Sequence, residues 1–524
     1  MSWIEVCDET ELRGRARMVV RAEGKQILLL ATEAGLFACA NRCPHEGYPL
    51  SEGRLDADGC VLTCDWHNWK FDLASGATLV GGDVLPRFPV RVENGRVSID
   101  VTPTDPVSAR RAILAALPRA LADVDEQRLV REVARLVRIG ADPVDAVRAA
   151  LDWARERFEF GTTHAIAGAP DWLRLYDDPA SGPDEKLSAI GEILGHIADN
   201  VRGERIFPFS AGSKPWNEAA FLAALERQDE EESIALLRGA LAGGYSSDDL
   251  LPVFIGAALA HYGSFGHSLI YVMQTDALIR RLGPEAAETL LLNLTRSLVF
   301  ETREDMLPEF RSYAAELANW RKGEPTWFAA GELRGQSAKA AMATVRGWSA
   351  VKTPQEIFRV LVHANAWTLL HADETKMNAV DAKLADNINW LDFTHALTFA
   401  EAGLRAMSIR DDLWPALLLQ LACFNGRNAG YVDAGLDRLE VFAIKDIPRF
   451  LAVRRDRLFD HGRDRFIISV HLTKTLLAGA ALIERLPGEA PILAAALNRF
   501  LTARMKGRHV LRTARQMRQL VESE

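Results

Sequence analysis

The chain has 524 residues, with 62 Lys and Arg against 71 Asp and Glu, and its formal charge of −9 argues against general nucleic-acid binding. It is too long for one ordinary domain, and 48% hydrophobic with 25% charged residues exclude extensive disorder. The apolar runs WPALLLQLACF (414–424) and LPVFIGAALA (251–260) fall short of the roughly 18 residues a bilayer span needs, and the acidic start MSWIEVCDETE lacks the basic and apolar regions of a secretory signal, so a cytoplasmic protein without a membrane segment is expected.

Residues 1–102 read as a succession of short strands. ARMVVRA, KQILLLAT, LFACANR, CVLTC and RVSIDV are rich in Val, Ile and Leu, and EGK, ENGR and DADG punctuate them as turns. TPTDP follows with two prolines in five residues and marks a linker at 103–106. From 107 to 524 alanine, leucine and arginine recur with apolar positions three and four apart, as in EQRLVREVARLVRIG and SIALLRGALAGG, which predicts helices. GAPDW, DDPASGPDE, PFSAGSKPW, GGYSSDD and LPGEAP read as the stops and loops between them. The expected fold class is a multidomain chain, a small all-β domain followed by a large all-α domain.

The cysteines are too few for a disulfide scaffold, and apart from Cys423 they gather in the β domain, at Cys7, Cys39, Cys43, Cys60 and Cys64, which suggests metal. In CPHEGYPLSEGRLDADGCVLTCDWHNWKFD a C-P-H at Cys43 and His45 is followed by a C-D-W-H at Cys64 and His67. Two thiolates and two imidazoles suit a tetrahedral zinc, or a [2Fe-2S] centre in which the thiolates hold one iron and the imidazoles the other. Zinc fingers usually pair Cys with Cys and His with His, and the alternation here favours iron. Most of residues 3–101 resemble a Rieske ferredoxin domain of the dioxygenase type, including HEGYPLSEG after the first pair and WHNWKFDLASG after the second.

This resemblance implies a [2Fe-2S] cluster held by Cys43, His45, Cys64 and His67 and working as a one-electron carrier. Neutral imidazoles in place of two thiolates lower the cluster's negative charge and raise its potential relative to all-cysteine ferredoxins. The extra disulfide of respiratory Rieske proteins cannot form, because Glu46, Gly47 and Tyr48 follow His45 and only Asp65 and Trp66 separate Cys64 from His67. Asp65 stands where the family usually has proline. Cys39 and Cys60, in strand-like runs, are expected to be buried thiols acting as small hydrophobes.

A Rieske domain is usually fused to an oxygenase domain bearing D-x-x-H-x-x-x-x-H, yet no two histidines here are five apart, so the second domain is something else. His267 opens GHSLIYVM, His395 lies in WLDFTHALTFAEAGL, and His471 in RFIISVHLTKTLLAGAAL. One such histidine is ordinarily a surface or satisfied core residue; several in apolar helices invite a shared metal. The helical domain resembles the questin oxidase family, all-α oxygenases of fungal polyketide anthraquinones and related compounds. The resemblance is carried by FGTTHAIAGAPDWLRLY at His164, YGSFGHSLIYVM at His267, DFTHALTFAEAGL at His395 and HLTK at His471 and Lys474.

A mononuclear non-haem iron on His267, His395 and His471 follows from that resemblance and from the apolar helices, with His164 and Lys474 as further candidates. The family's second histidine near the first block is missing beside His164. Lys474, three residues after His471 and on the same helix face, could ligate only if deprotonated or carboxylated, and is otherwise an outer proton donor or an exposed helix lysine. His261 could join His267 only if Gly263 and Gly266 bend the chain. His363 and His371, with Glu374, form a reserve ligand set, and a haem with one axial histidine is a further alternative.

No G-x-G-x-x-G opens a helix after a strand and no P-loop is present, so electrons are expected from a separate NAD(P)H-dependent reductase. The expected function is a Rieske-coupled non-haem iron oxygenase that oxidises a hydrophobic, aromatic or polyketide-like small molecule with O₂. Trp, Phe and Ala of the helices could line its apolar pocket. The alternative is a Rieske electron-transfer protein whose helical domain docks a partner and holds no second metal. Neither nucleic acid nor membrane is expected as a partner, and homo-oligomer formation stays open.

Overall fold

The computed structural model describes residues 2–524 other than 325, 436 and 437. Two compact units emerge, one built on residues up to Ala120 with Ile139–Ala141, the other on Leu121–Arg138 and Asp142–Glu524.

The first unit is antiparallel throughout. Strands β1 (Trp3–Asp8), β2 (Arg17–Ala22), β3 (Lys25–Thr32), β4 (Gly35–Ala40), β5 (Arg54–Leu55), β6 (Val61–Thr63), β7 (Lys70–Asp72), β8 (Thr78–Val80), β9 (Arg87–Phe88), β10 (Val90–Glu93) and β11 (Arg96–Asp100) form three sheets. Their orders are β1-β11-β10, β2-β3-β4-β9 and β5-β6-β7-β8. The third sheet is an excursion between β4 and β9. The hairpins β2/β3 and β10/β11 turn on Glu23-Gly24 and Asn94-Gly95, all four residues with positive φ, the backbone that matches the right-handed twist of two-residue hairpins. The segment read as the start of a strand succession also contains a helix, Glu9–Arg15, which buries Leu12 and carries Glu9–Arg13 and Glu11–Arg15 pairs on its surface.

KQILLLAT is apolar almost throughout because β3 is covered on both sides. Ile27 and Leu29 join Val97 and Ile99 in one core, while Leu28 and Leu30 join Leu62, Phe71 and the Cys43 and Cys64 side chains in the other. The first helix after the strands runs Pro106–Asp123 and opens on the last residue of the expected linker, where proline's missing N–H costs nothing. Its residues as far as Ala120 belong to the β unit, and Arg119 Nη2 donates to the Gly81 carbonyl at 2.8 Å.

In the second unit Trp390–Met407 packs between His267–Leu282 and Phe466–Arg485, and His164–Ala167, Ala169–Asp177 and Pro183–Asn200 close over them. Trp390–Met407 starts where the sequence supplies a reciprocal cap. Asn389 accepts from Leu391 N–H, and Asp392 accepts from Asn389 N–H, both at 2.8 Å. GAPDW proves not to be a loop: Gly168 alone separates two helices, and its position is filled so tightly that a Cβ there would lie 2.1 Å from Val470 Cγ2.

The runs 251–260 and 414–424 are core helices. Phe466–Arg485 is 20 residues long with a mean hydropathy of 1.7 in its most apolar window, which makes it the one helix among the described residues long and apolar enough to cross a membrane. Most of it is buried within the bundle, and it carries His471 and Lys474.

Candidate metal centres

Both loops that carry the Cys-His pairs are closed by the same two backbone hydrogen bonds. Cys43 N–H donates to Tyr48 O and Gly47 N–H to Cys43 O, at 2.9 and 2.8 Å; Cys64 N–H donates to Trp69 O and Asn68 N–H to Cys64 O, at 2.8 and 2.9 Å. The fourth position after each cysteine is left-handed, Gly47 at φ +75° and Asn68 at φ +60°, suiting the two residue types that tolerate it best. His45 is two residues after its cysteine and His67 three, so the second loop holds one more residue between its ligands.

The thiols lie inside, in the core with Leu62 and Phe71, and the imidazoles lie at the rim, His45 half-buried and His67 exposed. Burial pushes the Cys43 thiol up to about 11, against the His45 N–H, which favours the thiolate. The two Nδ1 atoms face each other at 3.0 Å. Two imidazoles on one tetrahedral metal, with bonds of about 2.1 Å, would place their nitrogens about 3.4 Å apart, so the donor set fits a shared iron. His45 lies flat on Trp69 (centroids 4.6 Å, planes 11° apart) and His67 on Trp66 (4.9 Å, 22°).

Asp65 turns outward and accepts from Arg54 Nε at 2.5 Å. Cys39 is buried as expected; Cys60 is only half-buried, with its Sγ 3.6 Å from the Asp58 carbonyl, and is not the core hydrophobe the sequence suggested.

In the helical unit four histidines converge. Donor nitrogens of His164, His395 and His471 lie within 4.8 Å of one another, and His267 Nε2 is 3.2 Å from His164 Nε2, as His471 Nε2 is from His395 Nε2. His164, the least supported of them in the sequence, is central. His267 Nδ1 donates to the Ser264 carbonyl (2.5 Å) and His471 Nδ1 to the Ile467 carbonyl (2.6 Å). A carbonyl can only accept, so both Nδ1 atoms carry the proton and both Nε2 atoms present lone pairs to the cluster. Ser264, Phe265 and Gly266 are all left-handed (φ 48°, 49° and 80°), and this unusual run aims the Ser264 carbonyl at His267.

Burial, reinforced by Lys474, lowers the pKa of all four imidazoles, that of His267 to about 4 and the others well below 6.5, so they stay neutral.

A cavity of about 520 Å³ opens off this cluster, bordered by His164, Tyr271 and Lys474. Tyr271 Oη is 3.4 Å from His164 Nδ1. Among the described residues Lys474 forms no hydrogen bond with the imidazoles; its buried side chain lines the cavity, and burial lowers its pKa to about 7. Among the described residues the lining is more ionic than expected and contains neither Trp nor Phe. Asp177 pairs with Arg281 (2.6 Å), Glu401 with Arg405 (3.0 Å) and Asp178 with Arg455 (2.8 Å). Gln274 donates to Asp171 Oδ2 (2.8 Å) and accepts from Arg405 (3.0 Å); burial, then Glu401, raises Asp171 to about 6. Sequence reasoning missed Tyr271, Asp171 and Gln274. The one available signal was that Tyr271, four residues after His267, shares its helix face.

The other candidates are satisfied elsewhere. His363 bonds Glu489 at 2.7 Å, and His371 donates to the Trp367 carbonyl (2.8 Å) while stacking on that indole, so the reserve pair does not converge. Glu374 lies 3.6 Å from Arg499 instead. His261 is held between Asp305 and Glu226, both at 2.9 Å, which raise it to about 9 against the effect of burial, and it does not join His267.

Fold and loops first define a class, a small β domain shaped to carry an iron–sulfur cluster. A family model described as the Rieske [2Fe-2S] domain matches residues 2–83. The ferredoxin component of the alkene monooxygenase system of Xanthobacter autotrophicus is 34% identical over 104 residues, 20% of this chain and 84% of that protein. The ferredoxin component of the naphthalene 1,2-dioxygenase system of Pseudomonas putida is 30% identical over 104 residues, 20% of this chain and 98% of that protein. A 4beta-methylsterol monooxygenase of Methylococcus capsulatus is 33% identical over 129 residues, 22% of this chain and 34% of that protein. Through its first unit the chain belongs to the Rieske [2Fe-2S] family.

Proposed function

We propose that the chain is an oxygenase whose Rieske centre, reduced by a separate NAD(P)H-dependent reductase, serves a mononuclear iron in the helical unit. The observation that carries this is the preformed imidazole cluster, in which donor nitrogens of His164, His395 and His471 lie within 4.8 Å of one another and His267 Nε2 lies 3.2 Å from His164 Nε2. Cys43 and Cys64 would hold one iron of the [2Fe-2S] cluster and His45 and His67 the other; His164, His267, His395 and His471 would hold the mononuclear iron. When bound, these groups supply single electrons and the activation of O₂. Were His164 to bind a metal through Nε2, its Nδ1–H would donate to Tyr271 Oη, 3.4 Å away, and the Tyr271 proton would be free to face the cavity. The indoles of Trp66 and Trp69 orient the rim imidazoles. The resemblance of the helical segments to questin oxidases supports the same reading.

A carrier function without a second metal is favoured by one fact, that the two relatives matched over most of their length are ferredoxin components. Iron analysis of anaerobically purified protein separates the two readings: about three irons per chain for the oxygenase, about two for the carrier. His395→Ala and His471→Ala should each reduce about three to about two while the cluster's EPR signal persists. Wild-type iron content in both variants refutes the helical site.

A further inference from the structure

We propose that the cavity beside the four histidines takes an organic anion, a carboxylate or phenolate group, with Lys474 as its counter-ion. This rests on the oxygenase reading for the anion's role as substrate. Once the Asp177–Arg281, Glu401–Arg405 and Asp178–Arg455 pairs are set aside, three ionic side chains remain on the cavity wall among the described residues: Asp171, Arg174 and Lys474. Arg174 and, when protonated, Lys474 therefore face one carboxylate.

Lys474 is 7% exposed, and among the described residues no hydrogen bond or ion pair closes on its ammonium. Asp171, the carboxylate that acts on it, is already engaged by Gln274 at 2.8 Å and forms no ion pair with it. A buried ammonium without a bonded partner is costly, and a ligand oxygen would supply the missing acceptor. Arg174, at the exposed end of the same wall, adds a second positive charge. The volume of about 520 Å³ accommodates a molecule of two or three fused rings, and Leu173, Ile270, Val470 and Leu477 offer apolar surface for its body.

The test is calorimetric titration of the full chain, as purified with its metals, with 2-naphthoate and its neutral isostere 2-naphthamide. The wild type should bind the naphthoate about tenfold or more tightly than the amide, the usual strength of a hydrogen bond to a charged group. Lys474→Met, close in volume and uncharged, should erase that preference, and Asp171→Asn, which removes the competing carboxylate, should widen it. Equal binding of the two probes, binding of neither at millimolar concentration, or an undiminished preference in Lys474→Met overturns the proposal. Should Lys474→Met fail to fold, an unchanged preference in Asp171→Asn overturns it. Iron counted in the same samples keeps the two readings apart: full iron without a naphthoate preference refutes the anion subsite alone, and two irons in the wild type refute the oxygenase reading.

Discussion

Replacing His267 by glutamine in iron-free protein should make the fold less sensitive to acid. Burial and Lys474 bring His267 to about 4, against about 6.5 in an unfolded chain. Because the folded value is the lower one, unfolding takes up a proton between these values, and stability is lost as the pH falls from about 6.5 toward 4. At pH 7 both states are largely neutral; at pH 5 the unfolded imidazole is charged and the folded one is not, a difference of about 2 kcal/mol against the fold. Glu301 and Glu304, raised by burial to about 7, act in the opposite direction, gaining stability as the pH falls. The informative quantity is therefore the difference between variant and wild type. Urea midpoints of chelator-treated proteins, read by tryptophan fluorescence at pH 7 and pH 5, should show His267→Gln gaining about 2 kcal/mol on the wild type over that interval. A difference that is the same at both pH values refutes a neutral buried imidazole at 267, and with it the picture of lone pairs set out for a cation.

Cys43→Ser should abolish the visible absorption of the cluster while the helical unit keeps its far-UV dichroism, since separate units carry them; retained colour at wild-type intensity would contradict the ligand assignment. Gly81→Ala places a Cβ 2.3 Å from Trp69 Cδ2 at φ +125°, and should cost about 1–3 kcal/mol and shift the EPR signal by moving the indole under His45; an unchanged midpoint and spectrum would contradict this. A maleimide should label Cys60 in the native protein and leave Cys39 untouched, because Cys60 is half-exposed and Cys39 is 1% exposed; peptide mass mapping reads the outcome.

The β unit was largely legible because its ligands are local. C-P-H and C-D-W-H are contiguous strings, and the Glu-Gly and Asn-Gly turns mark their own hairpins. The helix Glu9–Arg15 was not, since about two turns of ETELRGR bury a single leucine and leave too short a period to read. In the helical unit the apolar setting of His267, His395 and His471 pointed to a common role, but partners for His363 and His261 come from Glu489, Asp305 and Glu226, which only packing brings near. His164 is the reverse case: a four-residue helix has no periodicity, yet Thr163 caps it and Gly168 lets it approach Val470. The ionic cavity was invisible for the same reason, as Asp171, Gln274 and Arg405 sit on three different helices.

The unequal spacing of the two ligand loops has an optical consequence. The additional residue in the second loop leaves Trp66 stacked on His67 and yet 56% exposed, while the corresponding indole of the first imidazole, Trp69, is tucked beneath. An iron–sulfur cluster absorbs broadly where indole emits, so Trp66 fluorescence would be quenched whenever His67 carries iron and would brighten on its loss. The domain thus contains its own chromophore pair, through which cluster loading can be followed in dilute solution without a label.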